Sequence, residues 1–303
     1  MSTAFPPAAV PPSAGIETRR VTANGVELNV ALAGDGPAVL LLHGFPHTWQ
    51  VWTHVIGALA PAHRVIAPDL RGFGASQRAA DGYGAGTLAA DAEALLAELG
   101  ETSADVVAID AGTPPAFLLG LQRPALVRRL VLMESLLGRL AGAESFLSAG
   151  PPWWFGFHAA PAAPPVPGAD AGYGLAESVL LGHEAEYVGW FLAQGTLGEG
   201  VAPEIRDAFV AAYTGRESLR CAFSYYRALP TGAAQIAAAT ARSRLTVPTL
   251  AIGAHPVGDA LARQLAPVTD DLTSHLLADT GHIIPLHRPA ALLDLLLPFL
   301  AVG

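Results

Sequence analysis

Residues 105–113, Asp-Val-Val-Ala-Ile-Asp-Ala-Gly-Thr, constrain what this chain can fold into more than any other stretch. The apolar run reads as a short strand buried on both faces. It stops at an acid, Asp110, with the small residues Ala108 and Gly112 two positions to either side. Pro114 and Pro115 follow, then an apolar, helix-like run over 116–121. Proline is tolerated in the first turn of a helix, where amide protons have no partner anyway. Strand, sharp turn and helix in this order form a nucleophile elbow, which holds its central residue in a strained conformation at the mouth of a sheet. A helix N-terminus also favours negative charge and keeps a carboxylate ionised. Asp is equally a good N-cap, so the local sequence fits a capping acid as well as a reactive one.

The order of the other segments separates the two readings. Residues 26–33 follow the turn signal Asn24-Gly25 and read as a hairpin strand. Residues 38–42 are a continuous apolar run that ends in His43-Gly44-Phe45-Pro46, and 51–60 look helical. Residues 64–67 read as a strand ending in Asp69, 87–99 as a helix closed by Gly100, and 130–133 as a strand followed at once by Glu134. Such alternation implies a parallel sheet with helices on both faces, whose sites sit at the carboxyl ends of the strands. His43, Asp69, Asp110 and Glu134 all stand there, which raises the reactive reading of Asp110.

From about residue 136 to 241 strand patterns give way to helix-like segments rich in aromatics, with a Pro/Ala/Gly-rich linker at 159–174. The sheet pattern resumes with a strand over 248–252, a helix over 260–265, a strand over 274–277, Gly281-His282, and a closing helix over 290–300. The expected organisation is a loose N-terminal arm (1–15), a core from 16–135 and 242–303, and an inserted helical cap (136–241).

Composition excludes several classes. Charged residues make up 14% of the chain and the net charge is −9 without long acidic runs, so no basic face is offered to nucleic acid. The single cysteine, Cys221, makes neither an internal disulfide nor a cysteine-rich metal site. No apolar stretch of about 20 residues reads as a membrane span. Residues 1–15 lack the basic and apolar regions of a secretory signal, so a cytoplasmic location is expected.

Five motifs in this order, His43-Gly44-Phe45-Pro46, residues 69–76, Ala108-Ile109-Asp110-Ala111-Gly112, Tyr225-Tyr226-Arg227 and Gly281-His282, resemble the α/β-hydrolase fold. Within it the chain is most similar to the epoxide hydrolase and dehalogenase branch, closest to bacterial epoxide hydrolases. Esterases of this fold carry serine at the elbow. A carboxylate there suits attack on saturated carbon, because attack on an acyl group would give an anhydride. The resemblance implies that Asp110 opens an epoxide and becomes an alkyl ester. His282 would then deprotonate the water that cleaves it, with an oxyanion held by the N–H groups of Phe45 and Ala111.

The acid that orients His282 is Glu134 or Asp259. Glu134 is favoured, because Asp259 comes later than the family's spacing and is placed to cap the helix 260–265. Tyr226 matches a ring-opening proton donor of epoxide hydrolases, and Trp190, with Tyr187 as the alternative, stands where relatives place a second donor. Ala111 and Pro114 replace the tryptophan and arginines that related dehalogenases carry after the nucleophile. An epoxide hydrolase acting on an apolar or aromatic small molecule is therefore expected, the aromatic class resting on Trp153, Trp154, Phe155, Trp190 and Tyr225. A dehalogenase using the same Asp110, or a non-hydrolytic ligand-binding member of the fold, are the alternatives. The resemblance implies no metal or cofactor, and admits a homodimer.

Overall fold

The computed structural model describes residues 15–148, 150, 152–161 and 174–301. Most of the expected N-terminal arm and most of the 159–174 linker therefore lie outside the described residues.

The strands are β1 (Glu17–Ala23), β2 (Val26–Ala33), β3 (Ala38–Leu42), β4 (Arg64–Pro68), β5 (Ala104–Ile109), β6 (Val127–Met133), β7 (Thr249–His255) and β8 (Leu272–Gly281). They form one 8-stranded sheet in the order β1-β2-β4-β3-β5-β6-β7-β8. The β1–β2 and β2–β4 pairs are antiparallel, and every other neighbour is parallel. β3 and β5 are buried at every residue. An unbroken apolar run has no polar face to show water, so it fits only the middle of a sheet covered on both sides.

The helices are α1 (Thr53–Leu59), α2 (Ala85–Glu98), α3 (Thr113–Gln122), α4 (Glu144–Leu147), α5 (Trp153–Ala159), α6 (Leu175–Leu180), α7 (Glu184–Gly195), α8 (Pro203–Tyr213), α9 (Arg216–Thr240), α10 (Ala260–Leu265), α11 (Ile284–His287) and α12 (Pro289–Ala301). α2 and α3 pack together in one group, and α1, α11 and α12 in another. Since both faces of β3 and β5 are covered, these groups supply the two layers. Helices α4 to α9 lie between β6 and β7, and α9 rests on α2 and α3. No described helix is long and apolar enough to cross a membrane.

Several expected bounds differ for physical reasons. The helix expected over 51–60 begins as a 3-10 turn, Trp49–Trp52, before α1, where the Thr48 side chain accepts from the Gln50 amide. β1 is an edge strand with exposed residues along most of its length, so no apolar alternation marked it. β8, at the other edge, is also largely exposed and runs longer than its apolar stretch.

Candidate active site

Asp110 follows β5 without a spare residue, and Glu134 follows β6 in the same way. Both take left-handed backbone conformations, at φ +52° and +42°. Such angles are uncommon for side-chain-bearing residues and persist where the surroundings impose them. At the elbow the surroundings are tight. A Cβ on Gly112 would lie 2.6 Å from the Leu42 carbonyl oxygen, and one on Gly44 would lie 2.2 Å from Asp110 Oδ1. Only glycine lets the loop after β3 close onto the carboxylate, and the Phe45 N–H then donates to Asp110 Oδ1 at 2.8 Å. Ala111, the next residue of the turn, is buried.

His282 lies past the end of β8, between the two acids. Its Nε2 is 3.3 Å from Asp110 Oδ2, and its Nδ1 is 3.1 Å from Glu134 Oε2. The Asp110 and His282 side chains are 25% and 21% exposed, whereas that of Glu134 is wholly buried. The first two can therefore meet a bound molecule, and the third can act only through the imidazole. Glu134 also accepts from the amides of Ala254 (2.5 Å) and Val257 (3.4 Å), which fixes its carboxylate plane. Asp259 lies elsewhere, half exposed and paired with Arg263 at 2.5 Å.

The charges reinforce one another. Burial pulls the His282 imidazole toward neutrality, but the hydrogen bonds and charges of Asp110 and then Glu134 outweigh it and push its pKa up to about 10. Burial raises Asp110, and the bond and charge of His282, with the Phe45 amide, more than offset this and hold the carboxyl below its ordinary range. Both shifts favour a carboxylate paired with an imidazolium at rest.

The other strand-end groups are structural. His43 is fully buried, bonds the Gly44 carbonyl through Nδ1 (2.9 Å), and accepts from the Leu70 amide at Nε2 (3.0 Å). Asp69 accepts from the amides of Trp49 and Ala75 and the side chain of Asn29, each at 2.9 Å.

Above the elbow, α9 carries Tyr225 and Tyr226, both buried. The Tyr226 ring packs edge-on against Phe45 (5.8 Å), the residue whose amide holds Asp110, and against Phe155 (5.8 Å). Burial and the nearby Asp110 charge drive both phenols well above their ordinary pKa, so each is a neutral donor. Sequence reasoning missed His158, on α5. It is fully buried, its ring lies 4.3 Å from Tyr226, and its Nε2 is 2.6 Å from the Tyr187 hydroxyl. Burial, and then the charge of Arg227, lower its pKa to about 3, so the ring is neutral, and its Nδ1 is buried without a partner among the described residues. One polar ring inside a run of aromatic residues was the signal available.

The tryptophans stand differently from expectation. Trp190 is 39% and Trp153 56% exposed, and they pack on each other (5.7 Å) and on Trp154 toward the outside. An indole on that face is turned to solvent, so Trp153 and Trp190 give no support to an aromatic pocket. Tyr187, the alternative to Trp190, has its hydroxyl engaged by His158. The rings that surround Tyr226 and Phe45 are instead Phe155, His158, Phe191, Tyr213 and Phe223.

Residues 37–178 match the model of the alpha/beta hydrolase fold family. The chain is 29% identical over 294 residues to a soluble epoxide hydrolase of Corynebacterium sp. (strain C12), an alignment covering 92% of this chain and 95% of that one. It is 33% identical over 125 residues to a fluoroacetate dehalogenase of Burkholderia sp., covering 40% of this chain and 41% of that one. The crystal structure of Cfl2 from Burkholderia cenocepacia superposes with a TM-score of 0.82 at 30% identity, covering 95% of this chain and 97% of that one.

Proposed function

We propose that this chain, which belongs to the α/β hydrolase family in its epoxide hydrolase and dehalogenase branch, opens an apolar or aromatic epoxide to a diol through an ester on Asp110. The observation that carries this reading is a single imidazole paired with Asp110 at 3.3 Å through one nitrogen and hydrogen-bonded to the buried Glu134 at 3.1 Å through the other.

In the first step an Asp110 oxygen attacks a ring carbon and the C–O bond of the epoxide breaks. The departing oxygen takes a proton from Tyr226, leaving a hydroxyalkyl ester and a phenolate. A phenol so far above its ordinary pKa does not stay ionised, and the proton held by His282 restores it. Esterification also removes the Asp110 charge that holds that proton on His282. Ring opening thus converts the imidazolium into the neutral base that the second step needs. His282 then takes a proton from water, the hydroxide adds to the ester carbonyl, and the tetrahedral intermediate collapses to the diol and free Asp110. The oxyanion is held by the N–H groups of Phe45 and Ala111. Water activation restores the imidazolium and closes the cycle without net change in the protein.

The second hydrogen bond to the ring oxygen is assigned to His158 rather than Trp190. The assignment takes the tautomer in which the Tyr187 hydroxyl donates to Nε2, which puts the ring proton of His158 on Nδ1, an atom without a partner among the described residues, in a ring whose centre is 4.3 Å from that of Tyr226. Asp110 could also attack a carbon–halogen bond. The apolar Ala111 next to it gives a departing halide no side-chain donor, whereas Tyr226 and His158 suit an oxygen.

The test is to incubate a His282→Gln variant with styrene oxide and examine the intact protein by mass spectrometry. An adduct of the epoxide's mass, located on Asp110 and absent in Asp110→Ala, is expected. No adduct with styrene oxide or other epoxides, together with halide release from haloalkanes by the native protein, would overturn the epoxide reading.

A further inference from the structure

The loop that carries His282 is gripped on both sides. On one side, the Gly281 N–H donates to His287 Nδ1 at 2.8 Å. On the other, the Ile283 N–H donates to the Gly195 carbonyl, at the end of α7, at 2.9 Å. The approach leaves no room for side chains. A Cβ on Gly281 would lie 2.4 Å from that carbonyl oxygen, and one on Gly195 would lie 2.5 Å from Ile283 Cγ1. A few residues beyond, Glu199 forks onto Arg288 at 2.7 and 2.8 Å. Its Oε2 also lies 3.4 Å from His287 Nε2, at ion-pair range without hydrogen-bond alignment.

Because Nδ1 accepts from Gly281, the ring proton of His287 is on Nε2, which faces Glu199. The carboxylate therefore favours the tautomer that holds Gly281. The turn 195–199 meets the His282 loop at its backbone through Gly195 and at its buttress through Glu199.

We propose that the turn 195–199 and His287 form a clamp that sets His282 against Asp110, with His287 a positioning residue for the water-activating half of the reaction. The proposal rests on the reading of Asp110 and His282 above. Attack of water on the ester requires the imidazole at hydrogen-bond distance from that water, and a displacement of about 1 Å can cost on the order of 100-fold in rate. Formation of the ester bond uses Asp110 and Tyr226, neither of which the clamp touches, and the return of a proton from His282 to Tyr226 follows it. Loosening it should slow ester hydrolysis and leave ester formation unchanged.

The experiment is a single turnover with styrene oxide, quenched in time and read as the appearance and loss of the Asp110 adduct by intact mass. Three variants of the full chain are compared with the native protein, their folding followed by thermal unfolding. His287→Phe removes the acceptor for Gly281, and adduct loss is expected to slow by about 30-fold while its appearance stays within about twofold. His287→Asn puts an amide oxygen near the place of Nδ1, and recovery of the loss rate to within about threefold is expected. Glu199→Ala, at the partly exposed end of the clamp, should slow loss by about 5-fold. If His287→Phe does not fold, the other two variants decide. Loss at the native rate in Glu199→Ala, or appearance and loss slowing in proportion, would overturn the clamp. A native protein that forms no adduct, even with His282→Gln, would instead sink the Asp110 reading and the clamp with it.

Discussion

Replacing Glu134 by Gln changes almost no volume and tests whether the imidazole must be held in one tautomer. Glu134 accepts from the Ala254 amide at 2.5 Å with one oxygen, and meets His282 Nδ1 at 3.1 Å and the Val257 amide at 3.4 Å with the other. A buried glutamine must keep its carbonyl toward the Ala254 N–H, which turns its NH₂ toward His282. The amide then donates to Nδ1 and drives the ring proton onto Nε2, the nitrogen that must take a proton from water. Flipping the amide restores the productive tautomer only by facing NH₂ against the Ala254 N–H and leaving two buried donors unpaired. At about 1–3 kcal/mol for each buried unsatisfied group the penalty is about 2–6 kcal/mol. That corresponds to roughly 30- to 10⁴-fold in rate. Loss of the carboxylate's hold on the imidazolium adds to it, so the upper half of this range is expected. A serine-protease triad with its Asp changed to Asn falls by about 10⁴ for the same reason. The assay is quenched-flow intact mass with styrene oxide. Adduct should form within about tenfold of the native rate and then persist, while steady-state diol production falls by ~10³ or more. Asp259→Asn, at the exposed pair with Arg263, should change diol production by less than about twofold. Turnover by Glu134→Gln within tenfold of native, or a large loss in Asp259→Asn, would refute the assignment of the orienting acid.

Two further outcomes follow from the same geometry. Tyr226→Phe keeps the ring against Phe45 and His158 but removes the proton donor, so adduct formation should slow by about 10²–10³ while decay of preformed adduct is little changed, as followed by the same mass assay. The charged cluster should also shape stability against pH. The folded-state pKa of His282 is raised from 6.5 to about 10, so its contribution is complete below pH 6.5 and lost as pH rises through 10. Asp110 is lowered, so its contribution holds above the ordinary carboxylate value and is lost as pH falls through the folded one. Thermal unfolding by circular dichroism should therefore show the melting temperature falling between pH 6.5 and 10, and Asp110→Asn should flatten that fall by removing the main group that raises His282.

What the chain reveals in one dimension follows from how strongly each feature is tied to local sequence. β3 matches its expected bounds because a fully buried strand must be apolar throughout, and α10 matches although the Asp259 side chain makes no cap hydrogen bond and pairs with Arg263 instead. Strand ends were legible for the same reason as β3. An apolar run that stops at Asp110 or Glu134 fixes the acid at the sheet's carboxyl edge whatever packs above it. The edge strand β1 escaped, since it shows most of its residues to solvent and carries charge where alternation would have appeared. The helices between β6 and β7 posed a harder problem. On a helix, neighbouring residues point about 100° apart, and nothing local says which direction meets the sheet. Trp190 and Phe191 are adjacent in sequence, yet one faces the outer tryptophans and the other lies 5.4 Å from Phe45. His158 sits in the same position of ignorance, because its partners Tyr187 and Tyr226 come from two other helices. The identity of an attacking carboxylate is thus a property of strand and turn, while the choice of groups that receive the opened oxygen is a property of how α5, α7 and α9 are rotated against one another. Substrate class belongs to that second kind of information. It should shift with substitutions at Phe155, His158 or Phe191 that leave the geometry of Asp110, Glu134 and His282 untouched.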